Sequence, residues 1–208
     1  MSTRSKCLIL LLSIASARAG DKEKTDKGKD VPKFHIQPAS SYANKQISDG
    51  LTIAVVPYLT DEQNRSAFGK VNLNDHGVLP VMVVMQNDSK QTLNLQSMRF
   101  EYVGIDQKHV EATPSRDVPY LEGASRPKYG PGIPSPIPLP PRSGKKSKLN
   151  IPEIEGLAMA VKMLPAGDSA HGFVYFQVRH WKGSRVYING IREAATGKEL
   201  FYFEVPLD

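Results

Sequence analysis

Leu79-Pro-Val-Met-Val-Val-Met-Gln86 is a short, apolar, β-branched run with polar turn residues on either side. Such a run reads as a buried strand, because it is too short for a core helix and rich in residues that suit a pleated surface. Asn87-Asp88-Ser89-Lys90 follows as a turn into a second extended stretch, Thr92 to Leu95. Upstream, Leu51 to Tyr58 (LTIAVVPY) repeats the same signal. Downstream, the segment from Ser97 to Tyr102 alternates, with Met98, Phe100 and Tyr102 on one face and Ser97, Arg99 and Glu101 on the other. That period of two marks a half-buried antiparallel strand.

Further strands are expected at Lys108 to Thr113, Phe173 to Val178, Arg185 to Ile191 and Glu199 to Val205. The last two form a pair turned at Thr196-Gly197, although Asn189-Gly190 suggests a tighter hairpin in another register. Helix is sparse. Asp61 to Phe68 can form one or two turns capped by Thr60 or Asp61, and Ile154 to Leu164 suits helix and strand equally. About eight short strands at regular spacing predict an all-β, antiparallel sandwich with one or two short helices.

The first nineteen residues carry a different signal. Arg4 and Lys6 precede an apolar stretch from Cys7 to Ala17, and Ala17-Arg18-Ala19 follows as a small-x-small site. This is the pattern of a secretory signal peptide over residues 1–19. Its removal leaves 189 of the 208 residues and takes the only cysteine with it. Disulfides, thiol catalysis and thiolate metal sites are thereby excluded from the mature chain. Cys7 opens the apolar stretch and Gly20 stands where a lipid-bearing cysteine belongs, so lipidation is not expected. The address implied is a bacterial periplasm or the extracellular space. Residues 20–33 then form a charged spacer: Gly20 to Asp30 contains four lysines, four acids and no apolar group, too little to offset its ordering entropy.

The formal charge of +6 is unevenly placed. Arg4, Lys6 and Arg18 leave with the leader and no acid leaves with them, so the balance falls to +3. Residues 126–148 hold Arg126, Lys128, Arg142, Lys145, Lys146 and Lys148 without an acid, so the remaining body is left at −3. Eight of the sixteen prolines also lie between Pro127 and Pro152. Proline donates no amide hydrogen, so residues 126–152 are expected as a proline-rich basic loop interrupting a domain over 34–208. Those six cations can tether an anionic surface or envelope polymer. They lack interleaved aromatics for base stacking, so nucleic acid is not the expected partner.

Catalytic signatures are weak. Gly167-Asp168-Ser169-Ala170-His171-Gly172 resembles a nucleophile elbow, but His171 replaces the second flanking glycine. Histidines 35, 76, 109, 171 and 180 show no metal-ligand spacing. Gly144-Lys145-Lys146-Ser147 lacks the leading glycine of a phosphate loop, and Glu153 and Glu155 pair only in sequence. No cofactor is implied. Asn64-Arg65-Ser66 and Asn87-Asp88-Ser89 match the glycosylation sequon. Trp181, the single tryptophan, lies in a cationic turn, Arg179 to Gly183, where it either folds over the sandwich end with Arg179 or Lys182 stacked on it or anchors a partner.

Two stretches are similar to a known pattern. Val81 to Leu93 resembles the strand–Asn–turn–strand opening of immunoglobulin-like accessory domains in bacterial exported proteins of unknown function. Pro165 to Phe176 resembles the Pro-Gly step before a core strand in such domains, with Ala166 intruding. The resemblance spans about Leu51 to Val205, apart from the proline-rich insertion, and implies an immunoglobulin-like sandwich with no functional residues to carry over. The expectation is an exported, non-catalytic envelope module whose candidate binding residues are Trp181 and the six cations of the loop. The alternatives are a hydrolase using Ser169 and anion binding through residues 126–148.

Overall fold

The computed structural model describes residues 36–121 and 147–208. Strands β1 (Lys45–Ser48) and β2 (Leu51–Pro57) form a hairpin closed by Asp49 and Gly50 at φ 50° and 76°. Two positive φ angles in succession give the turn whose twist matches that of the flanking strands. β2 pairs antiparallel with β3 (Leu79–Asn87), which carries the eight-residue apolar run. Further along lie β4 (Leu93–Asn94), β5 (Arg99–Val103), β6 (His109–Glu111), β7 (Met163–Leu164), β8 (Ser169–Phe176), β9 (Arg185–Asn189), β10 (Arg192–Glu193) and β11 (Phe203–Pro206). They build three antiparallel sheets ordered β1-β2-β3-β8, β11-β9-β5-β6 and β10-β4-β7.

The first two sheets share one apolar interior. Leu51, Ile53, Val81, Val83, Met85 and Val174 meet Phe100, Tyr102, Val186, Ile188, Phe203 and Val205 within it. Period two places Ala54, Met82, Val84, Phe173 and Tyr175 on the opposite face of the first sheet, where a second apolar cluster forms. That cluster is roofed by helix α1 (Asp61–Phe68), helix α2 (Pro152–Gly156) and short 3-10 turns at Leu73–His76 and Ser115–Tyr120. Phe68 lies 4.9 Å from the Phe173 ring, and the Tyr175 hydroxyl donates to the Ile154 carbonyl of α2 at 2.8 Å. β3 is thus buried on both faces, which is why its apolar run is continuous instead of alternating.

Several expectations resolve in specific ways. Thr60 caps α1 with a full capping box: its hydroxyl accepts from Gln63 N, and Gln63 accepts from Thr60 N. The 154–164 segment divides. Pro152–Gly156 is helical, Ala158 bridges Phe173, and Met163–Leu164 is strand. This chain can lie along β8 because Gly172 has no side chain; a Cβ there would strike the Met159 and Ala158 backbone. β9 and β11 do pair directly, Phe203 opposite Ile188. Asn189-Gly190 is not a hairpin turn: Gly190 (φ 77°) passes under the Ser97 carbonyl as the chain moves from β9 into β10. The basic loop expected over 126–152 falls largely outside the described residues; of its last part, Leu149 is fully buried and α2 begins at Pro152.

Two buried amides hold the turns. Asn87 Nδ2 donates to the carbonyls of Gln91 (2.8 Å), Leu164 (3.0 Å) and Pro165 (3.0 Å), while its Oδ1 accepts from Ser89 N and Oγ. Its backbone bonds Asp168 O and Gly167 N. Asn64 Nδ2 donates to Tyr58 O and Thr60 O, and its Oδ1 accepts from Leu73 N. Both side chains are fully buried and fully engaged, so neither sequon asparagine offers its amide for glycosylation in the folded chain. Both sequon matches therefore report turn chemistry.

Replacing Asn87 by Ala strands three carbonyls and removes their shared donor, and is expected to cost about 3 kcal/mol. Ser89→Ala, which leaves that donor in place, costs about 1 kcal/mol. Urea unfolding of the two variants checks this order; an Asn87→Ala cost of under about 0.5 kcal/mol contradicts the bracket.

Candidate functional site

Tyr102 begins the site. It sits on β5 facing the interior, and its hydroxyl emerges at the end of the sandwich, where it donates to Ser184 Oγ at 2.7 Å. The same oxygen accepts from the Trp181 amide at 3.1 Å. The Arg179–Ser184 turn between β8 and β9 is tied down at three more points. Ser184 N donates to Trp181 O, Gly183 N to Asp208 Oδ1 (2.7 Å), and Leu207 N to Ser184 O (3.0 Å). The backbone of the turn is therefore fixed while its indole is not covered: Trp181 remains 58% exposed. Arg179 Cζ stands 6.0 Å from the Trp181 ring, a cation–π arrangement that orients the indole on one side.

The β5–β6 hairpin tip, Gly104 to Lys108, lies against this turn. Gln107 (φ 60°) and Gly104 close the tip through Gln107 N to Gly104 O. Ile105 points outward at 60% exposure, close enough that a Cβ on Gly183 would sit 3.4 Å from its Cγ2. Between the two tips is an apolar groove of about 450 Å³ floored by Tyr102, Val110 and Val178 and flanked by Ile105 and Trp181. Exposed Arg179, Lys108 and Asp106 line it, and exposed Lys182 follows Trp181 in the chain. Lys108 pairs with Asp106 at 2.8 Å, holding that carboxyl below and that ammonium above their ordinary values. Beneath the turn, His180 is part-buried beside the Tyr102 ring with Nδ1 unpartnered. Burial holds its imidazole below the ordinary value, and Asp208 acts against that effect.

Other surface features are built differently. A longer groove of about 840 Å³ follows Met98, Met159, Val161, Arg116, Glu155 and Lys162, but its apolar walls already pack on the main core. The outer face of the β11-β9-β5-β6 sheet carries Tyr187 and Tyr202 with ring centroids 5.1 Å apart, and Phe201 is 78% exposed. That face is laced by Glu101–His109, Arg185–Glu204 and Arg192–Glu199 contacts.

Of the candidate binding residues, Trp181 is thus part of a formed groove. Arg179 stacks on its indole, as one of the two readings expects, and the indole remains 58% exposed. Lys148 is exposed beside buried Leu149 in the helical layer, and no hydrogen bond or ion pair joins it to the Trp181 turn among the described residues. Arg126, Lys128, Arg142, Lys145 and Lys146 lie outside the described residues. Ser169 opens β8 opposite Gln86, and His171 shares its exposed face two residues on; no hydrogen bond joins them. Among the described residues no three His, Cys, Asp or Glu side chains form a group that could hold a metal ion. Ile105 was not singled out from the sequence. Its signal is an apolar residue inside the polar turn Gly104-Ile-Asp-Gln107, where a turn offers no burial.

No protein-family model matches the chain, and no curated protein does. Among solved structures, the chain is similar to one described as a "putative lipoprotein (ycdA)" from Bacillus subtilis, at 16% identity and a TM-score of 0.37. The match covers 78% of this chain and only 38% of that one.

Two outcomes follow from the site's geometry. Tyr102→Phe removes a hydroxyl shared by Ser184 and Trp181, and is expected to cost about 1–2 kcal/mol by urea unfolding, against about 0.5 kcal/mol or less for Trp181→Ala. His180 takes up a proton in the unfolded chain near its ordinary value of 6.5 but only at lower pH when folded. Its contribution is therefore present above that value and lost as pH falls below it. Melting temperatures from about pH 7.5 to 5 should drop more steeply for the wild type than for His180→Gln. Parallel curves contradict the burial effect.

Proposed function

We propose that this chain is an exported, non-catalytic module that binds a component of the cell envelope through its Ile105–Trp181 end. The observation that carries the reading is the pairing of a backbone pinned at four points with an indole left 58% exposed. An exposed aromatic anchor held in place before contact loses little conformational freedom on binding, which is how such residues come to dominate interfaces. Export rests on the leader pattern of residues 1–19. No helix among the described residues is long and apolar enough to cross a membrane.

The finer fold reading is an immunoglobulin-like sandwich. Its support is the strand arrangement: β2, β3 and β8 in one sheet face β6, β5, β9 and β11 in the other, with β3→β5 and β8→β9 passing between sheets. The division resembles part of that fold's strand arrangement, with β1, the helical layer and the β10-β4-β7 sheet added to it. The module reading takes its support from the site and not from the fold, which hosts many activities.

The test uses purified chain and the isolated envelope fraction of the host. The wild type should sediment with the fraction, and Ile105→Ser or Trp181→Ala should lose most of that binding, with melting temperatures within about 2 °C of wild type. Equal binding by all three removes the Ile105–Trp181 end from the function. Labelling by a fluorophosphonate that disappears in Ser169→Ala would replace the module with an enzyme.

A further inference from the structure

We infer that the partner met by the Ile105–Trp181 end is the interfacial zone of an anionic phospholipid bilayer; this rests on the envelope-binding reading above and names its chemistry. Ile105 and Trp181 are large apolar side chains on two adjacent loop tips at one end of the sandwich. Both side chains are more than half exposed and flank one apolar groove, so a soft, planar partner can receive them together. The indole suits the depth at which hydrocarbon meets headgroup, since its ring is apolar and its N–H is polar.

The charges around the tips fit the same partner. Arg179 and Lys182 bracket Trp181 in the chain and are exposed, and Lys108 stands at the neighbouring tip. Their long stems can lie along the inserted side chains while the charged heads reach lipid phosphates. Two carboxylates are nearby: Asp106 is paired with Lys108, and Asp208 Oδ1 accepts from Gly183 N. By contrast, the exposed aromatics Phe201 and Tyr202 adjoin a sheet face where Glu101, Glu204 and Glu199 are matched by His109, Arg185 and Arg192, so that face has no excess of cations to offer lipid phosphates. Apolar tips and a cationic rim coincide at the Ile105–Trp181 end and not on that face.

Trp181 is the single tryptophan, so its emission reports on this site alone. The test uses residues 20–208, which lack the apolar leader, with vesicles of phosphatidylglycerol and phosphatidylethanolamine, and with phosphatidylcholine vesicles as the uncharged comparison. The expected result is a blue shift of Trp181 emission with the anionic vesicles and quenching by acyl chains brominated near the headgroup. Partitioning should fall at least about tenfold in Ile105→Ser, whose melting temperature is unchanged. It should also weaken as salt rises and the rim cations are screened. Sedimentation with vesicles but no change in emission means that other cations hold the chain, and overturns the inference. Absence of vesicle binding, with binding to the envelope fraction still dependent on Trp181, also overturns it and leaves the module reading standing with a protein or glycan partner. Loss of both takes the module reading with it.

Discussion

The side-chain amide of Asn87 is the contact on which the arrangement of the sheets depends. It lies at the end of the central strand β3, fully buried, where an unsatisfied amide would cost several kcal/mol in an apolar setting. Its bonds hold three pieces of chain together: the turn after β3, the end of β7, and the step before β8. Backbone bonds from Asn87 to Gly167 and Asp168 double the link. The segments Val81 to Leu93 and Pro165 to Phe176 are thus two halves of one hydrogen-bonded bracket. With it closed, β8 aligns on β3 from Leu79–Phe176 to Gln86–Ser169, and the interior between the sheets fills.

The Tyr102 hydroxyl plays a comparable part at the Ile105–Trp181 end. It too is a polar atom at the rim of an apolar interior, satisfied on both sides by the turn it positions. Scaffold and site are therefore linked through one side chain: the ring of Tyr102 belongs to the core and its oxygen holds the backbone of Trp181. On the proposed reading a held turn favours binding, because a mobile tip would lose binding energy to ordering.

Much of this was legible in the residues, and the gaps have physical causes. Alternation in Ser97 to Tyr102 and the cap at Thr60 correspond to β5 and α1 because both depend on local chemistry. The continuous run Leu79 to Gln86 marked a strand, but not that both its faces would be covered; the helical roof is assembled from segments distant in sequence. The hairpin at Asp49-Gly50 carries a standard turn signal, but Lys45 to Ser48 has only one large apolar residue and so no strand pattern of its own. Ile154 to Leu164 balanced helix against strand because it contains both, divided where Ala158 meets β8. At the site, Trp181 stood out by its rarity, whereas Ile105 acquires meaning only when the fold lays its turn against Gly183. The sequons illustrate the reverse case: the same Asn-x-Ser pattern that invites a surface sugar is here a buried turn lock.

The central claim is a rigidly held and uncovered tryptophan, and time-resolved fluorescence of the free chain tests it most directly. Trp181 emission should be quenched freely by acrylamide and iodide while its anisotropy decays mainly with tumbling of the whole molecule, and Tyr102→Phe should add a fast local component. An indole shielded from both quenchers, or one that depolarises rapidly in the wild-type chain, would contradict the account.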